Sequence, residues 1–161
     1  GGDCAVGVES TVITLAEGTP RVLRPGGVTV SQLRSILGEV EVDDAVVHRL
    51  QEGKSAASPG MKYKHYAPKA EMIIFRGEPE KVRLAIAEEK MFRIQCGQKV
   101  GIIMYDDNDP KEAAHDFFAK LRAFDKSGVD VIIAAALKED GVGLAVMNRM
   151  LKSAGYNIRE I

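Results

Sequence analysis

Apolar and polar positions follow a regular pattern over the second half of the chain. Apolar runs within residues 71–77, 99–107 and 129–137 are separated by longer segments in which apolar residues recur at helical spacing. Such runs are typical of strands buried on both faces, and such segments are typical of amphipathic helices. Three successive strand–helix units predict a parallel sheet with right-handed crossovers. We therefore predict an α/β fold in which residues 70–161 form a small Rossmann-like domain.

The helix expected after residue 108 has the best-defined ends. Asp109 is placed to cap its N-terminus, Pro110 occupies its first turn and Gly128 is placed to end it. Its apolar side chains share one face and recur at Ala113, Phe117, Leu121 and Phe124. The capping residues and the apolar periodicity therefore both predict one long helix.

The first 45 residues have the elements of a domain but too few of them. Residues 4–15 and 19–24 have strand-like composition, and Thr29 with Gln32 has the form of a capping box at the start of a short helix. Two strands and one helix cannot enclose a core. We interpret residues 1–45 as the C-terminal remnant of a larger α+β domain.

Residues 46–69 lack a periodic apolar pattern, and we predict that they form an extended interdomain linker. Their end, "SPGMKYKHYAP", interleaves Lys62, Tyr63, His65 and Tyr66 between two prolines. Aromatic and basic side chains in alternation are typical of single-stranded nucleic-acid contacts. An RNA-binding or regulatory module that contacts tRNA is therefore one open interpretation. The net charge of -1 argues against a wide nucleic-acid surface.

The composition argues against a metal-binding protein and against a membrane protein. The two cysteines, Cys4 and Cys96, are far apart and form no CxxC pair, and the three histidines are scattered, so we expect no metal site. The apolar runs are too short to cross a bilayer. We expect no membrane partner and a cytoplasmic location.

Two features of the predicted α/β domain suggest ligand binding only weakly. "GVG" at residues 141–143 lies between a strand and a helix, where backbone N–H groups can hold a phosphate, but Val146 stands where a dinucleotide fingerprint has its third glycine. A tight turn explains this stretch better. Asp106, Asp107 and Asp109 could bind Mg²⁺, although a hydrated loop explains them equally well.

The N-terminal segment offers a stronger chemical signal. Glu9, Ser10 and Thr11 interrupt an apolar strand, and Arg24 stands directly before a Pro-Gly turn that restrains its backbone. Hydroxyls and a restrained guanidinium suit a phosphate or a carboxylate. A strand end or a bulge with satisfied hydroxyls is the alternative.

Four stretches together resemble one family. "VGVESTVI", "VLRPGGVTVSQL", "SPGMKYKHYAP" and the ending "GVDVIIAAALKEDGVGLAVMNRMLKSAGY" resemble the long, two-domain form of threonylcarbamoyl-AMP synthase in the YrdC-like family. The resemblance implies that the chain is the C-terminal part of such an enzyme. It would contain the last segment of the YrdC-like catalytic domain, the linker and the complete small domain.

The resemblance implies a nucleotidyltransferase reaction that serves tRNA modification. L-threonine, bicarbonate and ATP would give threonylcarbamoyl-AMP and pyrophosphate, with Mg²⁺ accompanying ATP. A second enzyme would then transfer the threonylcarbamoyl group to tRNA, so tRNA and that enzyme would be indirect partners.

The resemblance also assigns roles to residues. Ser10 would bind threonine and Arg24 would bind ATP, while a set of residues would contact the nucleotide or close over it: Thr11, Lys62, Tyr63, His65 and Tyr66. None of these is a catalytic residue. The family's lysine–arginine and SxN motifs are not in this sequence, so we expect the chain alone to be inactive.

Overall fold

The computed structural model describes residues 7–16, 18–48, 67–107 and 109–161. The described part contains two sheets. The smaller sheet has the order β1-β2-β3, in which β1 runs antiparallel to β2 and β2 runs parallel to β3. Its strands are β1 (Val12–Thr14), β2 (Arg21–Arg24) and β3 (Glu41–Val42), with helix α1 (Val30–Leu37) between β2 and β3.

The larger sheet is entirely parallel, with the order β5-β6-β4-β7. Its strands are β4 (Glu71–Arg76), β5 (Val100–Ile103), β6 (Val131–Ala135) and β7 (Ile158–Glu160). The helices that connect them are α2 (Pro79–Gln95), α3 (Pro110–Ser127) and α4 (Gly141–Ser153). The predicted α/β fold with a parallel sheet is confirmed.

Helices cover both faces of the larger sheet. Val82 and Ile86 of α2 pack on one face against Ile73 and its neighbours. On the other face α3 and α4 pack against Ile74 and its neighbours. Because successive strand residues point to opposite faces, a strand covered on both sides must be apolar throughout. This arrangement explains the continuous apolar runs in the sequence.

The predicted helix ends are confirmed for α3 and α1. The Asp109 side chain accepts a hydrogen bond from the Lys111 N–H at 3.3 Å, and Gly128 adopts a left-handed conformation with φ of 66°. At the start of α1, Thr29 and Gln32 form both hydrogen bonds of the capping box. Local side-chain chemistry therefore sets these ends.

Three strands differ from the sequence-based expectation. The strand expected over residues 4–15 covers Val12–Thr14 in the described part, and its register shifts between Val12 and Ile13, directly after the polar triplet. β3 was not among the two strands and one helix predicted within residues 1–45, and it is two residues long. β7 was not predicted at all. It pairs with β4 at the edge of the sheet. Its single apolar residue is Ile158, so its sequence shows no apolar pattern.

Helix α4 is buried on more than its sheet-facing side. Every residue from Gly143 to Leu151 is buried, including Asn148 and Arg149. One side packs in the core of the larger sheet, and polar atoms of the helix bond to the N-terminal segment. α4 is therefore the element that joins the two sheets.

Candidate functional site: the polar triplet and the Arg-Pro-Gly turn

The polar triplet, Glu9–Ser10–Thr11, lies directly against the turn formed by Arg24–Pro25–Gly26. A Cβ atom added to Gly26 would overlap the Glu9 carbonyl oxygen and lie 2.5 Å from the Thr11 nitrogen. Only glycine allows the two backbones to approach so closely. The turn and the triplet, which the sequence separates by a strand, therefore form one compact unit.

The Thr11 hydroxyl ties the triplet to Val28, two residues after the turn. Its Oγ1 donates to the Val28 carbonyl at 2.7 Å and accepts from the Val28 N–H at 3.1 Å. The hydroxyl thus acts both as a donor and as an acceptor toward backbone groups. In this conformation the Thr11 side chain holds the unit together.

Arg24 and Ser10 lie side by side. The Arg24 Nε–H donates to the Ser10 carbonyl at 3.0 Å, and this bond orients the guanidinium on the restrained backbone before Pro25. Ser10 is exposed and Arg24 is partly exposed. An oriented guanidinium beside an exposed hydroxyl offers planar paired donors and one adaptable group to an anionic ligand.

Positive charge is concentrated behind this pair. Burial is the largest cause that lowers the pKa of Lys152 to about 8; the charges of Arg149 and Arg24 contribute to this lowering, and Glu9 opposes it. The charges of Arg24, Arg149 and Lys152 therefore act on one another here, with Glu9 as the opposing charge. Such a balance favours the approach of an anion.

Comparison with known proteins identifies the family of the chain. Residues 28–155 match the family model described as "Threonylcarbamoyl-AMP synthase, C-terminal domain". The chain belongs to this family.

Relatives from distant organisms extend the match to the rest of the chain. Threonylcarbamoyl-AMP synthase of Pyrococcus abyssi is 42% identical over 171 residues, covering 100% of this chain and 50% of the relative. The Bacillus subtilis enzyme of the same name is 36% identical over 174 residues, covering 98% of this chain and 48% of the relative. The chain spans about half the length of these relatives.

A solved structure has the same fold. The crystal structure of Pyrococcus abyssi Sua5 complexed with L-threonine matches with a TM-score of 0.86 and 42% identity, covering 100% of this chain and 50% of that one. The match includes the N-terminal sheet as well as the family's C-terminal domain. It favours the enzyme over the RNA-binding interpretation.

Four of the residues predicted to form a lid lie outside the described residues: Lys62, Tyr63, His65 and Tyr66. The structure therefore brings together Ser10, Thr11 and Arg24 from the predicted set. Within residues 7–16, 18–48, 67–107 and 109–161, no group of three or more histidine, cysteine, aspartate or glutamate residues could hold a metal ion. No helix in those ranges is long and apolar enough to span a membrane.

A concavity with a volume of about 1050 Å³ lies at the carboxyl ends of β4, β5 and β6 in the family's C-terminal domain. Arg76, at its wall, forms ion pairs with Glu160 at 2.6 Å and with Glu139 at 3.2 Å. Asp107 accepts a hydrogen bond from the Lys138 N–H at 3.0 Å. Arg76 and Glu139 of its lining are therefore already paired with each other.

The glycine turn beside this cleft has a packing role. A Cβ atom on Gly143 would overlap the Lys138 carbonyl oxygen, so the turn requires glycine. The three helices that start at this end of the sheet are preceded by acidic residues, namely Glu78, Asp109 and Asp140. These carboxylates occupy the positive ends of the helix dipoles and oppose a bound phosphate. The geometry supports the tight-turn interpretation.

Sequence reasoning missed the buried polar residues of α4. Asn148 and Arg149 stand inside the apolar stretch "GLAVMNRML", and both are at most 2% exposed. Two polar residues in the middle of an apolar helix were the available signal. Their partners lie more than 100 residues away in sequence, so the pattern could not identify them.

Proposed function

We propose that this chain is the C-terminal part of an enzyme that makes threonylcarbamoyl-AMP from L-threonine, bicarbonate and ATP. The observation that carries the proposal is the hydrogen-bonded pair of Arg24 and Ser10, placed beside further cationic side chains. The match to Sua5 complexed with L-threonine over the whole chain supports it.

In the proposed reaction bicarbonate takes up a proton and loses water to give CO₂, which the amino group of threonine captures as a carbamate with release of a proton. A carbamate oxygen attacks the α-phosphorus of ATP, and the bond to the β-phosphate bridging oxygen breaks, so pyrophosphate leaves. Negative charge collects on the transferring phosphoryl group, and positioned cationic donors lower the barrier. Arg24 would donate to the phosphates, and Ser10 would contact the threonine moiety. Mg²⁺ would enter with ATP as part of the substrate.

The remaining predicted residues have proposed roles in closing the site. Lys62, Tyr63, His65 and Tyr66 would lie over the bound nucleotide, while Thr11 would maintain the backbone that carries Ser10. The product would serve threonylcarbamoyl transfer to tRNA by a second enzyme. This proposal includes a cytoplasmic location.

Exposed apolar side chains on the N-terminal unit support its assignment to a larger catalytic domain. Helix α1 buries none of its residues, and Ile36 is 82% exposed. Leu15 and Val28 are also exposed, at 64% and 49%. An apolar helix stripe of this kind usually packs against a neighbour. We propose that the rest of the catalytic domain covers it, and that residues 1–161 alone do not make the adenylate.

Threonine-dependent formation of pyrophosphate from ATP by the full-length enzyme tests the proposal. Replacing Arg24 by Ala should lower kcat/KM for ATP by about 10- to 100-fold, because a charge-assisted contact to phosphate is lost. Arg122→Ala, an exposed arginine of α3, is the matched control and should change kcat/KM by less than about twofold. Unchanged kinetics in Arg24→Ala would contradict the assigned role.

A further inference from the structure

Among the described residues of its own domain, the buried arginine of α4 bonds to one carbonyl of its helix. Arg149 is 2% exposed, and its Nη1 donates to the Ala145 carbonyl at 2.7 Å, one turn earlier in α4. A buried guanidinium is costly unless its donors are satisfied by acceptors with good geometry. The other acceptors come from the N-terminal segment.

These acceptors belong to the two backbone stretches that carry the candidate site. Arg149 Nη1 donates to the Pro25 carbonyl at 3.1 Å, and Nη2 donates to Glu9 Oε2 at 3.0 Å. Pro25 follows Arg24, and Glu9 precedes Ser10. One rigid guanidinium therefore spans both neighbours of the Arg24–Ser10 pair.

The preceding residue of the same helix provides a comparison. Asn148 is 1% exposed, and its Nδ2 donates to the Val46 carbonyl at 2.6 Å. It therefore also anchors the N-terminal segment to α4. However, Val46 lies after β3 and outside both the triplet and the turn. Asn148 and Arg149 are therefore equally buried, but Arg149 contacts the triplet and the turn whereas Asn148 contacts Val46.

We propose that Arg149 is a positioning residue, through which the small α/β domain fixes the geometry of the Arg24–Ser10 pair. The inference rests on the proposed function of that pair as a substrate site. The guanidinium holds the triplet and the turn at a fixed separation, because its planar fork bonds both at once. Loss of this brace lets Arg24 and Ser10 move relative to each other without removing either side chain.

The first test compares Arg149→Met with Asn148→Ala in the full-length enzyme. We expect Arg149→Met to lower kcat/KM for threonine-dependent pyrophosphate formation by about 10- to 100-fold, since small misplacements of binding groups carry losses of this size. Asn148→Ala should lower the melting temperature by a similar amount and change kcat/KM by less than about threefold. Equal activity losses in the two variants would overturn the proposal.

Two further variants keep the test decisive if Arg149→Met fails to fold. Arg149→Lys retains the charge toward Glu9 but cannot also hold the Pro25 carbonyl, so its loss should be intermediate. Glu9→Gln removes one charge from a side chain that is 44% exposed and should fold normally. Its kcat/KM should fall by about threefold to tenfold. Wild-type kinetics in both variants would contradict the brace.

A direct readout separates this inference from the proposed function. In protein labelled with ¹⁵N-arginine, the Arg24 Nε–H is expected to exchange slowly because it bonds to the Ser10 carbonyl. Its exchange should accelerate in the Arg149 variants and stay slow in Asn148→Ala. Acceleration would support the brace even if the enzyme made no adenylate. Slow exchange in all variants would overturn the brace and leave the proposed function standing.

Discussion

The two sheets of the molecule are stabilised by different means. The larger sheet lies between apolar clusters on both faces, with Ile73 and Ile74 of one strand fully buried on opposite sides. Among the described residues, the smaller sheet packs Leu23 and Ala45 into a small apolar cluster, with Val12 against it. Polar contacts to α4 and the packing of Val8 against the core of the larger sheet hold the N-terminal segment in place. The larger, well-packed sheet thus supports the smaller sheet. The smaller sheet is less well packed and carries the candidate site.

The largest expected effect lies in the core of the larger sheet. Phe117→Ala removes a side chain that is 1% exposed and should lower the free energy of unfolding by about 3–5 kcal/mol. Leu23→Ala in the smaller sheet should cost about 2 kcal/mol, because its surroundings are less completely packed. Urea unfolding followed by circular dichroism measures both. An equal loss in the free energy of unfolding for the two variants would show that the two sheets are equally well packed.

Gly26→Ala should disturb the smaller sheet specifically. The added Cβ overlaps the Glu9 carbonyl, which is backbone and cannot rotate away, so we expect a loss of about 2 kcal/mol or more. Gly97→Ala is the control. Its Cβ would meet nothing within 4 Å, and its positive φ of 77° alone should cost about 1 kcal/mol. A smaller loss for Gly26→Ala than for Gly97→Ala would mean that the triplet and the turn can separate freely.

Lys152 makes the junction between the sheets sensitive to pH. Burial lowers its pKa from 10.5 to about 8, with Arg149 and Arg24 adding to the effect. Between these values the folded state binds fewer protons than the unfolded state, so the free energy of unfolding rises with pH. Because the amine is partly exposed, we expect a rise of about 1 kcal/mol.

Unfolding at pH 7.5 and at pH 9.5 measures this rise, and Lys152→Met should abolish it. Burial raises the pKa of Tyr105 above its ordinary value of 10, so the opposing loss of stability from that group begins only above pH 10. The chosen interval therefore avoids the titration of Tyr105. An unchanged rise in Lys152→Met would assign it to another group.

The smallest effect is expected for an exposed ion pair on α2. Arg83 contacts Glu80 at 2.8 Å, but the two side chains are 62% and 74% exposed. Arg83→Ala should change the free energy of unfolding by less than about 0.5 kcal/mol. A larger change would show that the outer face of the larger sheet also depends on polar contacts.

The sequence predicted those parts of the fold that rest on local chemistry. Asp109 and Gly128 mark the ends of α3 because capping depends on neighbouring residues. The strands of the larger sheet were recognisable because burial on both faces requires continuous apolar runs. β7 escaped prediction because its stability comes from pairing with β4, and an edge strand needs no apolar run.

The candidate site was predictable only in part for the same reason. The residue types of Ser10 and Arg24 suggested anion binding, and their resemblance to a family suggested a role. Arg149 was missed because a sequence does not show which distant atoms a buried polar side chain will reach. Its acceptors lie 124 and 140 residues earlier in the chain. The roles proposed for Ser10 and Arg24 await the kinetic tests.

The long sequence separation between Arg149 and its acceptors has a consequence for biosynthesis. Glu9 and Pro25 leave the ribosome before α4, because Arg149 follows Pro25 by 124 residues. At ordinary elongation rates of about 5–20 residues per second, roughly 10 s pass between the two events. During this interval the triplet and the turn exist without their brace. In the proposed arrangement, α4 therefore adds the brace to a triplet and a turn that have already left the ribosome.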